Sequence, residues 1–245
     1  VHKSKMVHFL TFGSYNYTKQ VERIKNEALA SGFFKGITAA YPADLHPDFR
    51  NANKTFLHGR GYGYWIWKPQ IILQTLDRLA EGDILVYADS GCTINRHGSK
   101  RFAEYMQMAR DHPSGIVTFQ MPENLEVQFT KREVFEHLGY EHAETPQICA
   151  TYIIVRRCAA SVALLQKWSV LTREHKLIND QKFLPQDPRF VDHRHDQSIW
   201  SILNKQIGTC VVGTDEGWPP GRLEYPIWGS RIRLTDESKF THLIQ

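Results

Sequence analysis

The sequence has no stretch of about 20 apolar residues, the length a membrane-spanning helix needs, and no signal-peptide pattern. Cysteine is sparse: Cys92, Cys149, Cys158 and Cys210 stand far apart and form no Cys-x-x-Cys pair. That spacing argues against a disulfide framework and a zinc ribbon alike. It points to a reducing compartment, so the expected location is cytoplasmic. Charge of one sign is lacking too. The 30 basic residues face 26 acidic ones, a formal balance of +4, and the basic positions are dispersed. A nucleic-acid-binding stripe is therefore not expected, although a local pocket for an anion such as a diphosphate is compatible with this balance. Repeats, low-complexity tracts and linkers are missing as well, so residues 1–245 are expected to form one domain. The opening VHKSK reads as a cloning remnant, because a natural chain rarely begins at Val.

What the chain does contain is ordinary for a globular protein, with 42% apolar and 23% charged residues. Aromatics are plentiful, at 13 Phe, 10 Tyr and 6 Trp. Such rings fill cores, and they also make the flat, hydrogen-bonding surfaces that hold sugars and bases.

Periodicity predicts alternating strands and helices. Met6 to Phe12 reads as a strand closed by Gly13-Ser14, and Val21, Ile24, Ala28 and Leu29 mark a helix that stops at Gly32. A second helix carries Pro69 in its first turn and Ile72, Leu76 and Leu79 along one stripe, and ends at Gly82. The run from Ile84 to Ala88 is apolar on both faces, as an interior strand covered on both sides would be. A β-branched run, ICATYIIVRR, and a helix beginning at Asp196 follow later. The expected class is α/β.

Four clusters could carry chemistry. Asp89 ends the interior run and is followed at once by the turn Ser90-Gly91. In open α/β sheets ligands sit beyond the carboxyl ends of the strands. A carboxylate there can bind a divalent cation or a ribose hydroxyl. It can equally cap its own turn. In GRGYGYWIWKP, three glycines free the backbone, while Tyr62, Tyr64, Trp65 and Trp67 stand beside Arg60 and Lys68. Its glycine spacing is not a phosphate fingerprint, and a packed helix entry would bury at least one Trp, but four rings beside two cations are more than a plain helix start needs. His193, His195 and Asp196 invite a metal reading, but Asp196 also sits where a helix N-cap belongs. Lys131 and Arg132 could balance a diphosphate or simply be solvated, and Gln147 lies just before the β-branched run.

Taken in order, FLTFGS, GYGYWIWKPQIILQTL, GDILVYADSGCTIN, QICATYIIVRR and HRHDQSIWSIL resemble a glycosyltransferase of the GT-A type. The likeness is to the small sugar transferases of bacterial polysaccharide clusters and large DNA viruses, and it spans roughly residues 6 to 207. It implies a single Rossmann-like domain with a mostly parallel central sheet flanked by helices. It implies transfer of a hexose or pentose from a nucleotide-diphosphate donor, UDP most commonly, to a glycan hydroxyl. Donor contacts would fall on Thr11, Phe12, Gly13, Lys68, Asp89, Ser90, Gln147 and Gln197. Tyr64, Trp65, Trp67, Lys131, Arg132 and His195 would wall the acceptor side, and Asp196 would be the catalytic carboxylate. YADSG matches the place of the family's Asp-x-Asp motif, but Gly91 stands where the second acid belongs. A Mn²⁺ or Mg²⁺ ion would then rest on Asp89, the phosphates and a His. Two other readings stay open: a metal-dependent hydrolase built on His193, His195 and Asp196, and a non-catalytic carbohydrate-binding module using the Trp/Tyr surface.

Overall fold

A strand with apolar side chains on both faces must be covered on both sides, and Ile84-Leu85-Val86-Tyr87-Ala88 is buried at every position. In a computed structural model, which describes residues 5–234, this run is β3 (Ile84–Ala88), central in the sheet. The first four residues of the expected cloning remnant lie outside the described residues. Ahead of β3 come β1 (Val7–Phe12), α1 (Thr18–Ser31), β2 (Gly36–Ala40), α2 (Pro47–Ala52), α3 (Gly61–Tyr64) and α4 (Trp67–Leu76). After it come β4 (Thr93–Ile94), α5 (Ser99–Asp111), β5 (Ile116–Leu125), α6 (Glu126–Phe129), α7 (Arg132–Leu138), β6 (Pro146–Ile148) and β7 (Tyr152–Arg156). The remainder is α8 (Ala159–Thr172), α9 (His175–Ile178), α10 (Asp196–Ile207), β8 (Cys210–Val212) and β9 (Ile227–Trp228).

Seven strands form one sheet in the order β2-β1-β3-β7-β5-β6, with β8 joined to β5. β1 runs parallel to β2 and β3, and β5 runs parallel to β8. β7 is antiparallel to both β3 and β5, and β6 is antiparallel to β5. Five strands thus point one way and β6 and β7 the other, a mostly parallel mixed sheet. Alternation along each strand sends side chains to two cores. Leu10, Leu85, Tyr87 and Ile153 pack under α4, α8 and α10 with Ile72, Trp168 and Trp200, whereas Phe9, Val86 and Ile154 pack under α1 and α5 with Ile24 and Phe102. Among the described residues no helix is long and apolar enough to cross a membrane.

Three local expectations are corrected. Leu29 is 60% exposed, because Val21, Ile24 and Ala28 already complete the inward stripe of α1. The run ICATYIIVRR is not one strand. It breaks at residues 149–151, where the chain leaves its pairing with the late part of β5 and joins β3. Asp196 is the first residue of α10 rather than its cap. His195 holds the cap position with φ 51°, and the Asp196 side chain is spent elsewhere.

Candidate active site

Because β1 and β3 are parallel neighbours, their carboxyl ends deliver Phe12-Gly13 and Asp89-Ser90 to the same sheet edge. The backbone of Asp89 is fixed by a hydrogen bond from its N–H to Thr151 O at 2.8 Å, at the break before β7. A cleft of about 620 Å³ opens there, lined by Phe12, Gly13, Tyr62, Trp65, Trp67, Asp89, Ser90 and Thr151, together with Arg60, Arg231 and Arg233. Its size suits a drug-sized or nucleotide-sized ligand.

The floor of this edge is an ion bridge. α4 begins at Trp67, so Lys68 leaves its first turn pointing into the protein, and it is only 3% exposed. Its Nζ lies 3.2 Å from Asp89 Oδ1 and 2.9 Å from Asp196 Oδ2, and donates to Ala150 O at 3.1 Å. One ammonium thus serves two carboxylates, one of them buried. The Tyr87 hydroxyl donates to Asp89 Oδ1 at 2.6 Å. Burial pushes the Asp196 carboxyl up to about 6, against the pull of Lys68. Burial would equally drive the Lys68 proton off, but the Asp196 and Asp89 carboxylates outweigh it and hold the ammonium charged. Only Asp89 of the three reaches the cleft, its side chain 32% exposed.

One wall is a left-handed turn. Gly61, Tyr62, Gly63, Tyr64 and Trp65 all have positive φ, from 52° to 86°. Such a backbone costs about 1–2 kcal/mol for each residue that is not glycine. It is held by Tyr64 N–H donating to Arg60 O at 2.8 Å and Trp65 N–H to Gly61 O at 3.1 Å, and by Trp67 Nε1–H donating to Gly61 O at 2.9 Å. Rings add to this: Phe12 stacks on Trp67 at 3.9 Å, and Tyr64 and Trp65 lie on His195 at 4.9 and 5.5 Å. The Gly63→Ala variant should lose about 2 kcal/mol or more, because its Cβ would meet Phe56 O at 2.7 Å with φ at 86°. Urea denaturation checks this, and an unchanged midpoint would mean the turn has another conformation available.

No family model matches the sequence, and no curated protein does. The fold does have solved counterparts. A glycosyltransferase involved in glycosylating the major capsid of the virus PBCV-1 matches 86% of this chain and 82% of its own, at 12% identity and a TM-score of 0.50. The chain has a GT-A fold. Mouse xyloside xylosyltransferase 1 matches 86% of each chain, at 12% identity and a TM-score of 0.47.

Within this GT-A fold the residues singled out from the sequence separate into groups. Phe12, Gly13, Trp65, Trp67, Asp89 and Ser90 share the cleft. Lys68 and Asp196 stand directly behind Asp89. Thr11 is wholly buried in β1. Gln147 and Gln197 form a support layer: Gln197 Nε2 donates to Gln147 Oε1 at 2.9 Å, and Gln197 Oε1 accepts from Ala150 N–H at 3.1 Å. Tyr64 backs the turn through His195. Lys131 and Arg132 are not brought to the cleft. The Lys131 ammonium donates to Asn179 O and Gln181 O at 2.9 Å each, and Arg132 pairs with Glu136 at 2.8 Å. Sequence reasoning missed Arg231 and Arg233. The two cations in GSRIRL were the available signal.

Among the described residues, side chains alone do not build a metal site. Asp89 Oδ1 is already taken by the Tyr87 hydroxyl and the Lys68 ammonium, and Gly91 offers no donor. Among the described residues no group of three His, Cys, Asp or Glu side chains is placed to hold an ion. The histidine pair is committed to structure: His193 Nε2 lies 2.8 Å from Leu177 O and His195 Nδ1 2.7 Å from Ile178 O. Burial lowers both imidazoles below their usual range, so they are neutral. Nothing in this arrangement favours a metallohydrolase.

Proposed function

We propose that this protein is a glycosyltransferase that moves a sugar from a nucleoside-diphosphate donor, UDP-linked in the simplest case, to a hydroxyl of a glycan or glycoconjugate. The observation that carries the reading is the Asp89–Lys68–Asp196 bridge at the carboxyl edge of β3, facing a cleft with aromatic walls and three arginines. Glycosyl transfer builds positive charge at the anomeric carbon and negative charge on the departing diphosphate. A site for it needs a carboxylate at one end and cations at the other, and this cleft has both. Asp89 is the carboxylate placed to meet ribose or donor-sugar hydroxyls. Lys68 fixes its orientation, and Asp196 acts through Lys68 as a positioning residue. Tyr62 and Trp65 offer ring faces for a base or a sugar. A role in polysaccharide assembly follows from the same acceptor chemistry.

A thermal-shift screen tests this, with UDP, GDP, CMP and dTDP each supplied with Mn²⁺, Mg²⁺ or EDTA. A ligand that binds only the folded chain raises its melting temperature, by about 5–10 °C at a hundredfold excess over the dissociation constant. One nucleotide producing such a shift is the expected result. No shift with any nucleotide, alongside a large one with zinc alone, would sink the transferase and revive the hydrolase.

A further inference from the structure

Resting on the nucleotide-sugar reading above, we propose that the donor's diphosphate is neutralised by Arg231 and Arg233, carried on a C-terminal strap, in place of a divalent cation. The strap runs antiparallel to the segment that follows β3. β9 pairs with β4, Ser230 Oγ lies 2.9 Å from Thr93 Oγ1, and Ile232 N–H donates to Gly91 O at 2.9 Å. A Cβ built on Gly91 would sit 3.4 Å from both Arg231 Cα and Ile232 O. The strap backbone therefore covers the side of residue 91 from which a second acid would project. The same strap carries Arg231 and Arg233 to the lining of the cleft.

The segment leading into the strap is fastened well before it reaches the cleft. Asp215 accepts a hydrogen bond from the Tyr152 hydroxyl, and Glu216 accepts from Arg101 at 2.7 and 2.8 Å. Asn95 Nδ2 donates to Leu223 O and Tyr225 O at 2.8 and 2.9 Å. The contacts of Ser230 with Thr93 and of Ile232 with Gly91 flank Arg231, whose φ is 54°. Arg231 and Arg233 are exposed, line the cleft, and make no ion pair among the described residues. The acid nearest the cleft floor, Asp89, is already compensated by Lys68. Two planar guanidiniums on a fixed backbone match the phosphate oxygens of a diphosphate without any ion between them.

Calorimetry with the four nucleoside diphosphates UDP, GDP, CDP and dTDP, in EDTA and in Mn²⁺, separates the outcomes. The expected result is that one of them binds the wild-type chain equally in both buffers. The Arg231→Ala/Arg233→Ala double variant should then bind it about 100-fold or more weakly, since each charge-assisted contact is worth about tenfold. Its affinity for the bare nucleoside should stay within about twofold, and the double Lys variant should recover part of the loss. Both side chains are exposed, so an unchanged melting temperature without ligand confirms that the variants fold. Binding that appears only with Mn²⁺, or a double Ala variant that binds like wild type in EDTA, overturns the strap's role and leaves the transferase standing. If no diphosphate binds in either buffer, the nucleotide-sugar reading fails and this inference goes with it.

Discussion

Replacing Lys68 with Met should destabilise the protein by about 3–5 kcal/mol, the range for removing one partner of a buried ion pair, and abolish transfer. Lys68 is shared by two carboxylates, and Asp196 is 4% exposed with no second cation against it among the described residues. Without the ammonium, burial and the neighbouring Asp89 charge would push the Asp196 carboxyl beyond the already raised value of about 6. The pH dependence then has a definite sign. A carboxyl whose folded-state pKa lies above its unfolded value binds its proton more tightly in the native state. The stability it contributes is full at low pH and is lost as pH rises through the folded value. The Met variant should therefore be distinctly more stable at pH 5 than at pH 8, in chemical denaturation followed at both. The Lys68→Arg variant keeps the charge and should retain most of the stability. Equal stability of the Met variant at both pH values would mean that Asp196 is solvated and the bridge is not buried as described.

How much of this was legible in the sequence depends on whether the information was local. β3 could be read because a strand buried on both faces must be apolar at every position, and Ile84 to Ala88 is. Helix α1 could be read to its end because Gly32 takes the left-handed cap, φ 71°, that its residue type suits. The break between β6 and β7 could not, because it is set by which partner strand each half meets. In the site, Asp89 was visible as the acid at a strand end. Its partners were not: Lys68 was expected to contact the donor rather than to bridge two carboxylates. Only the tertiary fold brings it to Asp196, 128 positions away in the chain. The same limit hid Arg231 and Arg233, because only the fold lays the strap at Arg231 and Ile232 over Gly91 and brings both arginines to the cleft. The glycines at 61 and 63 announced unusual backbone, but not that Tyr62, Tyr64 and Trp65 would share it.

The Asp196→Asn variant should keep its fold and most of its nucleotide affinity yet transfer sugar about 100-fold more slowly or worse. The amide is the same size as the carboxyl, and Asp89 remains to hold Lys68, so the chain has no reason to unfold. What is lost is the charge that draws Lys68 toward α10 and sets the angle at which Asp89 meets the cleft. The wild-type pH profile carries the matching signature. With its carboxyl pushed up to about 6 by burial, Asp196 is protonated at pH 5 and ionised at pH 8. Transfer should fall as pH drops through about 6, and the Asn variant should be slow and flat across the same range. Acid unfolding cannot mimic this limb through Asp196, because its raised pKa makes protonation favour the native state. A wild-type limb near pH 6 that persists in the Asn variant would assign the titration to another group and take Asp196 out of the mechanism.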